Sequence, residues 1–139
     1  MRVTEIPFVK HLSIEQEGSQ LFLSPNVELE NHIGTIHASA QFSLAETQSG
    51  LFLQERFADI EGGEVLPLLR SSSVKYKSPA TTRLRAVAKV EDEVERKFRE
   101  QFKRRGRATI AIEVELLNSS DEVTMMGEFV WFVQSLNRE

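Results

Sequence analysis

Cysteine is absent from this chain of 139 residues. Its absence excludes disulfide bonds, zinc sites built from thiolates and a cysteine nucleophile. The three histidines, His11, His32 and His37, lack the four-residue spacing with which one helix face binds zinc. We therefore expect no metal site and no cofactor.

Long hydrophobic runs and an excess of basic residues are missing as well. No stretch approaches the roughly eighteen consecutive apolar residues of a membrane-spanning helix, and the opening MRVTEIP does not resemble a signal peptide. The formal net charge of -4 does not favour non-specific binding to nucleic acid. We expect a cytoplasmic protein with neither a membrane nor a nucleic acid as partner.

The amino-acid composition and length fit a single domain over residues 1–139. Hydrophobic residues make up 40% of the chain and charged residues 27%, and both values are ordinary for a globular protein. The length allows a sizeable core. No repeat, low-complexity tract or linker divides the sequence.

One long helix dominates the predicted structure. Small and apolar residues fill nearly every position from Ile36 onward, so we expect a buried helix from Asn31 to about Arg56. Two short strands are predicted before it. Four strands are predicted after it, at 65–77, 82–90, 107–117 and 122–133, and the last three show an alternating pattern.

A second, shorter helix is predicted between the last strands. Val94, Phe98 and Phe102 recur every four residues within about 91–106, a spacing typical of an amphipathic helix, and Gly106 would end it. Strands grouped around one long helix indicate an α+β fold with a single antiparallel sheet. The free edges of such a sheet favour a dimer.

Glu46 lies in the middle of the helix that is expected to be buried. On a helical wheel its neighbours are small or apolar and include no lysine or arginine: Ser39, Phe42, Ser43, Ser49, Gly50 and Leu53. A carboxylate in such surroundings is partly desolvated, which raises its pKa and makes it a better base. The alternative, an ordinary exposed helix former, fits the same pattern. The small residues of this face also favour close approach of a second subunit.

The start of the long helix is a candidate anion site. The first amides of a helix have no partner within it and can bind a developing oxyanion, and those near His37 and Ala38 are the candidates. Asn31 can donate and accept hydrogen bonds nearby. A turn role for Asn31 and a capping role for His37 are the alternatives.

Five residues then carry a resemblance. Asn31, Gly34, Thr35, His37 and Glu46 have the spacing that is found in hotdog-fold thioesterases of the phenylacetate-pathway type and their relatives. In that pattern an Asn precedes a His by six residues, Gly-Gly follows the His, and an acid lies nine residues after it. The chain also resembles a bacterial branch of this superfamily whose function is not assigned.

Two short segments extend the resemblance. Residues 44–47, LAET, are similar to the family's Leu-Ala-Asp/Glu-Thr, and residues 76–80, YKSPA, are similar to its Tyr-x-Ser-Pro-Ala at a strand end. The resemblance implies the hotdog fold, an α+β fold in which an antiparallel sheet wraps around one long central helix. It also implies a homodimer with active sites at the subunit interface, or alternatively a homotetramer.

The resemblance further implies hydrolysis of an acyl-CoA or acyl-carrier thioester. Glu46 would activate water or attack the carbonyl carbon, and Asn31 would position the carbonyl or the water. The backbone amides of Ala38 and His37 would bind the oxyanion. The implied substrate contacts are Gly34, Phe42, Ser43, Tyr76 and Ser78.

One departure from the family keeps other functions open. Ala38-Ser39 replaces Gly-Gly, and the added Cβ atoms narrow the approach to the amide. The first alternative is therefore a hotdog protein that binds acyl groups or CoA without catalysis. A hotdog dehydratase that pairs His37 with Glu46 ranks behind it, because His37 holds the thioesterase-type position.

Positive charge is concentrated at Arg83, Arg85 and the segment from Lys103 to Arg107. These residues are candidates for contacts with the phosphates of a nucleotide carrier. For the segment at 103–107 the alternative is favoured, since basic residues at a helix C-terminus complement the helix dipole.

Overall fold

One antiparallel sheet and a helix of 19 residues form the framework of the computed structural model, which describes residues 2–60 and 64–136. The strands lie in the spatial order β1-β2-β4-β5-β6-β3. They are β1 (Glu15–Glu17), β2 (Gln20–Leu23), β3 (Val65–Tyr76), β4 (Leu84–Lys89), β5 (Arg107–Leu117) and β6 (Val123–Ser135). The helices are α1 (Pro7–His11), α2 (Ala38–Arg56) and α3 (Asp92–Arg105), with single 3-10 turns at Val3–Glu5 and Val27–Leu29.

Buried and more exposed side chains alternate along the strands that form the inner face of the sheet, most clearly in β5. Along β5 every second side chain is buried, as the sequence predicts: Ala108, Ile110, Ile112, Val114 and Leu116. The buried side chains of α2, among them Leu44, Ala45 and Leu51, join these residues in one hydrophobic core. The predicted α+β arrangement, with a long helix on an antiparallel sheet, is confirmed.

The start of α2 corrects the sequence prediction. The helix begins at Ala38 rather than at Asn31, and the residues before it form a loop. Gly34 has a φ of 76°, a left-handed conformation that does not continue a helix. The Asn31 side chain accepts hydrogen bonds from the amides of Ile33 and Thr35, which offers the backbone an alternative to helical bonding.

Helix α1 was not predicted. It has five residues, too few for a periodic pattern to emerge, although Pro7 at its first position is a known start signal. Val9 and Leu12 are buried and attach this helix to the core.

Helix α3 is the predicted insert between β4 and β5, and Gly106 ends it with a φ of 73°. Phe98 and Phe102 are buried, and the ring centroids of Phe57 and Phe98 lie 4.8 Å apart. Because Phe57 directly follows α2, α3 packs against the C-terminal end of the long helix.

Trp131 of β6 is in direct contact with α2. The Trp131 indole donates to Ser49 Oγ at 2.9 Å, and a Cβ atom built on Gly50 would lie 3.5 Å from the ring. Ser49 and Gly50 therefore pack within their own chain. The interpretation of the whole small-residue face as a contact for a second subunit is wrong for these two residues.

Candidate active site

An open cleft of about 440 Å³ lies over the N-terminal half of α2. Its lining consists of Phe8, Ala38, Ser39, Phe42, Ser43, Glu46 and Tyr76. Helix α2 supplies most of this surface, β3 contributes its last residue and α1 contributes Phe8. The cleft thus brings together five of the nine predicted site residues: Glu46, Ala38, Phe42, Ser43 and Tyr76.

Glu46 is half-buried in this cleft, one turn along the helix from Phe42. Burial raises the pKa of the Glu46 carboxyl, the direction that the wheel predicted. Within residues 2–60 and 64–136, no hydrogen-bond donor or cation contacts the carboxylate. The Phe42 ring packs against the Phe129 ring, and the two ring centroids lie 5.4 Å apart.

The amide of Ala38 differs from the other amides at the start of α2 in its hydrogen bonding. Of the first four amides, that of Ser39 donates to His37 Nδ1 at 2.9 Å, and those of Ala40 and Gln41 donate to the His37 carbonyl. The amide of Ala38 finds no acceptor among the described residues. Ala38 lines the cleft, and an unpaired amide at a helix start can bind an oxyanion.

His37 takes the alternative role that the sequence left open. Its imidazole caps α2, and its own amide donates to the Leu29 carbonyl at 2.8 Å. That amide is therefore not free to bind an oxyanion, which corrects its assignment as a second donor. The side chain lies exposed, outside the Glu46 cleft.

Asn31 also has a loop role. Its Oδ1 accepts from the amides of Ile33 and Thr35, and its Nδ2 donates to Thr35 Oγ1 at 2.8 Å. These bonds engage both polar ends of the side chain within its own turn. Neither Asn31 nor Gly34 lines the cleft.

Tyr76 connects the end of β3 to the start of α2. Its hydroxyl donates to the Ala38 carbonyl oxygen at 3.0 Å, and burial raises its pKa. This bond fixes the residue whose amide is unpaired. Ser78, two residues further on, is exposed and does not line the cleft; its amide donates to the Thr124 carbonyl.

Phe8 is the lining residue that sequence reasoning missed. Although it is a large apolar side chain, 60% of its surface is exposed. The available signal was a phenylalanine directly after a proline helix start, but a segment of this length gave no period to place it on a face.

The candidate phosphate ligands are largely engaged elsewhere. Arg83 pairs with Glu15 and Glu17, and Arg85 pairs with Asp121.

Among residues 2–60 and 64–136, no group of three or more His, Asp or Glu side chains could hold a metal ion. No helix in these ranges is long and apolar enough to cross a bilayer.

Several solved structures share this architecture. A Pseudomonas aeruginosa protein of unknown function, described as a probable thioesterase, is 24% identical with a TM-score of 0.80; the match covers 96% of this chain and 91% of that one. A Bacillus halodurans protein solved with CoA is 21% identical with a TM-score of 0.69, over 91% and 74% of the chains. The E. coli PaaI protein from the phenylacetic acid degradation operon is 14% identical with a TM-score of 0.68, over 91% and 83%.

These likenesses show that the chain has the hotdog fold, which confirms the resemblance drawn from the sequence. No curated protein matches the chain. Residues 4–133 match the family described as a domain of unknown function, DUF4442, and the chain belongs to that family.

Proposed function

We propose that this protein is a thioesterase that hydrolyses an acyl-CoA or acyl-carrier thioester, with Glu46 as general base or nucleophile. One observation carries the proposal: a half-buried carboxylate with a raised pKa shares a cleft with Ala38, whose amide has no acceptor among the described residues. The two groups have the chemistry that acyl transfer needs, since one generates the nucleophile and the other binds the oxyanion.

In the general-base route, Glu46 removes a proton from water as the water oxygen attacks the thioester carbonyl carbon. The carbonyl oxygen becomes an oxyanion and accepts a hydrogen bond from an Ala38 amide. Because Ala38 lies eight residues, about 12 Å, before Glu46 on α2, that amide comes from the second copy of the chain in the proposed dimer. Collapse of this intermediate breaks the C–S bond, and the thiolate receives the proton from Glu46. In the nucleophilic route, a Glu46 oxygen attacks the carbon itself, the thiolate leaves, and water then hydrolyses the mixed anhydride.

The replacement of Gly-Gly by Ala38-Ser39 is compatible with this mechanism. The backbone amide survives the change, and the Tyr76 hydroxyl fixes residue 38 through its carbonyl. The CoA in the Bacillus halodurans structure and the description of the Pseudomonas aeruginosa protein as a probable thioesterase support a CoA thioester as substrate.

We also propose that the active form is a homodimer. Strand β3 is an edge strand of 12 residues, and most of its side chains are exposed. Edge strands of this length are templates for pairing with another chain. The cleft beside Glu46 is open toward solvent, which leaves room for a partner to complete it.

The second candidate is a hotdog protein that binds acyl-CoA without hydrolysing it. Ala38 and Ser39 both line the cleft, and their Cβ atoms favour binding without hydrolysis because they narrow the approach to the amide. A dehydratase has less support, because His37 Nδ1 is engaged in capping α2 rather than facing Glu46.

Release of CoA thiol from a panel of aliphatic and aromatic acyl-CoAs tests the proposal. We expect Glu46→Gln to lower the hydrolysis rate by about 10²–10⁴, the range for removal of a positioned general base. Glu55→Gln is the matched control, because Glu55 is exposed on the same helix and outside the cleft. The mechanism is wrong if Glu46→Gln keeps full activity, and the binding protein becomes the better candidate if the wild type hydrolyses none of the panel.

A further inference from the structure

Phe8 is held at a fixed place on the surface although it is large and apolar. Its neighbours Val9 and Leu12 are only 5% and 8% exposed and anchor α1 to the core. The helix is closed by hydrogen bonds from the Lys10 amide to the Ile6 carbonyl and from the Leu12 amide to the Phe8 carbonyl. A phenyl ring that is exposed on an anchored helix is available for contact with another apolar group.

A second cleft of about 260 Å³ adjoins the cleft that contains Glu46. Its lining consists of Phe8, Leu12, Glu28, Leu29, Glu30, His37, Ser39, Ala40 and Ser43. Three residues line both clefts: Phe8, Ser39 and Ser43. Since the two serines are small, Phe8 is the largest side chain on the boundary that the two clefts share.

The two clefts differ in how they suit an acyl chain. The first places Phe42 near Glu46, so an acyl group whose carbonyl lies at the carboxylate meets an apolar wall. The second has apolar surface at Leu12 and Leu29, but Glu28 and Glu30 also line it and would repel an acyl group that ends in a carboxylate.

We propose that Phe8 sets the length of the acyl group that this protein accepts. The acyl chain lies in the first cleft, contacts Phe42 and ends against the Phe8 ring, which selects short acyl groups. This inference rests on the proposed function in one respect, namely that the cleft beside Glu46 receives the acyl group. Removing the ring joins the two clefts and admits longer chains.

Binding of non-hydrolysable thioether analogues of butyryl-, octanoyl-, dodecanoyl- and palmitoyl-CoA, measured by calorimetry, tests this role. We expect Phe8→Ala to bind the shortest analogue about tenfold more weakly and the longest about tenfold more tightly than the wild type, since apolar contact is lost at one length and gained at the other. The affinities of Phe8→Leu should lie between those of Phe8→Ala and those of the wild type. Lys10→Ala is the matched control, because Lys10 is exposed on the same helix and lines neither cleft.

Three binding results would overturn the role of Phe8. They are an unchanged order of chain-length preference in Phe8→Ala, a uniform loss of affinity for all analogues, and no binding of any analogue by the wild type. A changed oligomeric mass of Phe8→Ala would also overturn it, because Phe8 would then belong to a subunit interface. Absence of hydrolysis by a wild type that shows the expected binding profile would refute the proposed function and leave this inference standing.

Discussion

Glu46 is a side chain whose surroundings oppose the charge that its proposed role requires. Burial raises the pKa of its carboxyl in the folded protein, while the unfolded chain has the ordinary value of about 4.3. The folded state therefore keeps its proton to higher pH than the unfolded state. Protonated Glu46 favours folding, and this contribution is lost as the pH rises through the folded-state pKa.

Glu46→Gln should consequently stabilise the fold at neutral pH, because it removes a partly desolvated charge without changing the shape of the side chain. Thermal unfolding followed by circular dichroism should give the variant the higher melting temperature at about pH 7, and equal temperatures below about pH 4, where both side chains are neutral. Glu55→Gln should show no such pH dependence. A lower melting temperature for Glu46→Gln at pH 7 would contradict the assignment of a desolvated carboxylate.

Among the residues that line the cleft, the sequence could predict those whose place depends on helix position. Glu46 and Ala38 follow from the wheel and from the general rule for helix-start amides. Asn31 and His37 could not be resolved, because a polar side chain near a helix start can face either the loop or the ligand. Only the hydrogen bonds of Asn31 with Thr35, and of His37 with Ser39, decide between these roles.

Helix α3 is the element that fixes the C-terminal end of α2. Its Phe98 is 1% exposed and packs between Phe57 and Phe102, with ring centroids at 4.8 and 5.8 Å. At its polar edge, Glu95 accepts hydrogen bonds from Arg56 and Arg99. The apolar cluster supplies the stability of this contact, since the exposed ion pairs around it contribute little.

Phe98→Ala should lower the free energy of unfolding by about 3–5 kcal/mol, the range for truncation of a buried phenylalanine. Hydrolysis per folded molecule should stay close to that of the wild type, because Glu46 lies ten residues, about 15 Å, from the end of α2. Denaturant titration at fixed protein concentration measures the first quantity. Arg96→Ala, on the exposed side of α3, is the control; equal unfolding midpoints for the two variants would refute this account.

At the scale of elements, periodicity decided what could be predicted. β5 alternates over its whole length, and its predicted bounds, 107–117, are those observed. α3 repeats every four residues and was found for the same reason. The start of α2 was placed too early because its small and apolar composition continues into a loop, where the positive φ of Gly34 overrides it.

Within residues 2–60 and 64–136, β3 forms one long edge of the sheet and pairs only with β6. β3 has 12 residues, whereas β1 at the opposite edge has three. We expect two copies to associate through β3, so light scattering at micromolar concentration should give a mass of about twice 15.8 kDa. A stable monomer would contradict the proposed dimer.

The double substitution Ser71→Asp and Ser73→Asp should weaken this dimer by at least about tenfold, because charged side chains on an edge strand oppose pairing. Both serines are exposed on β3. Ser119→Asp with Ser120→Asp is the matched control, since these exposed serines lie in the turn between β5 and β6 and the charge change is equal. Equal dimer dissociation constants for the two double variants would exclude β3 as the contact.

The contact between Trp131 and α2 also gives the molecule a natural optical reporter. The sequence has one tryptophan, so its fluorescence originates from a single place. Its indole donates to Ser49 Oγ, which in turn donates to the carbonyl oxygen of Glu46 at 2.6 Å. The emission of one indole is thus connected, through one hydroxyl group, to the backbone of the residue on which the proposed chemistry depends.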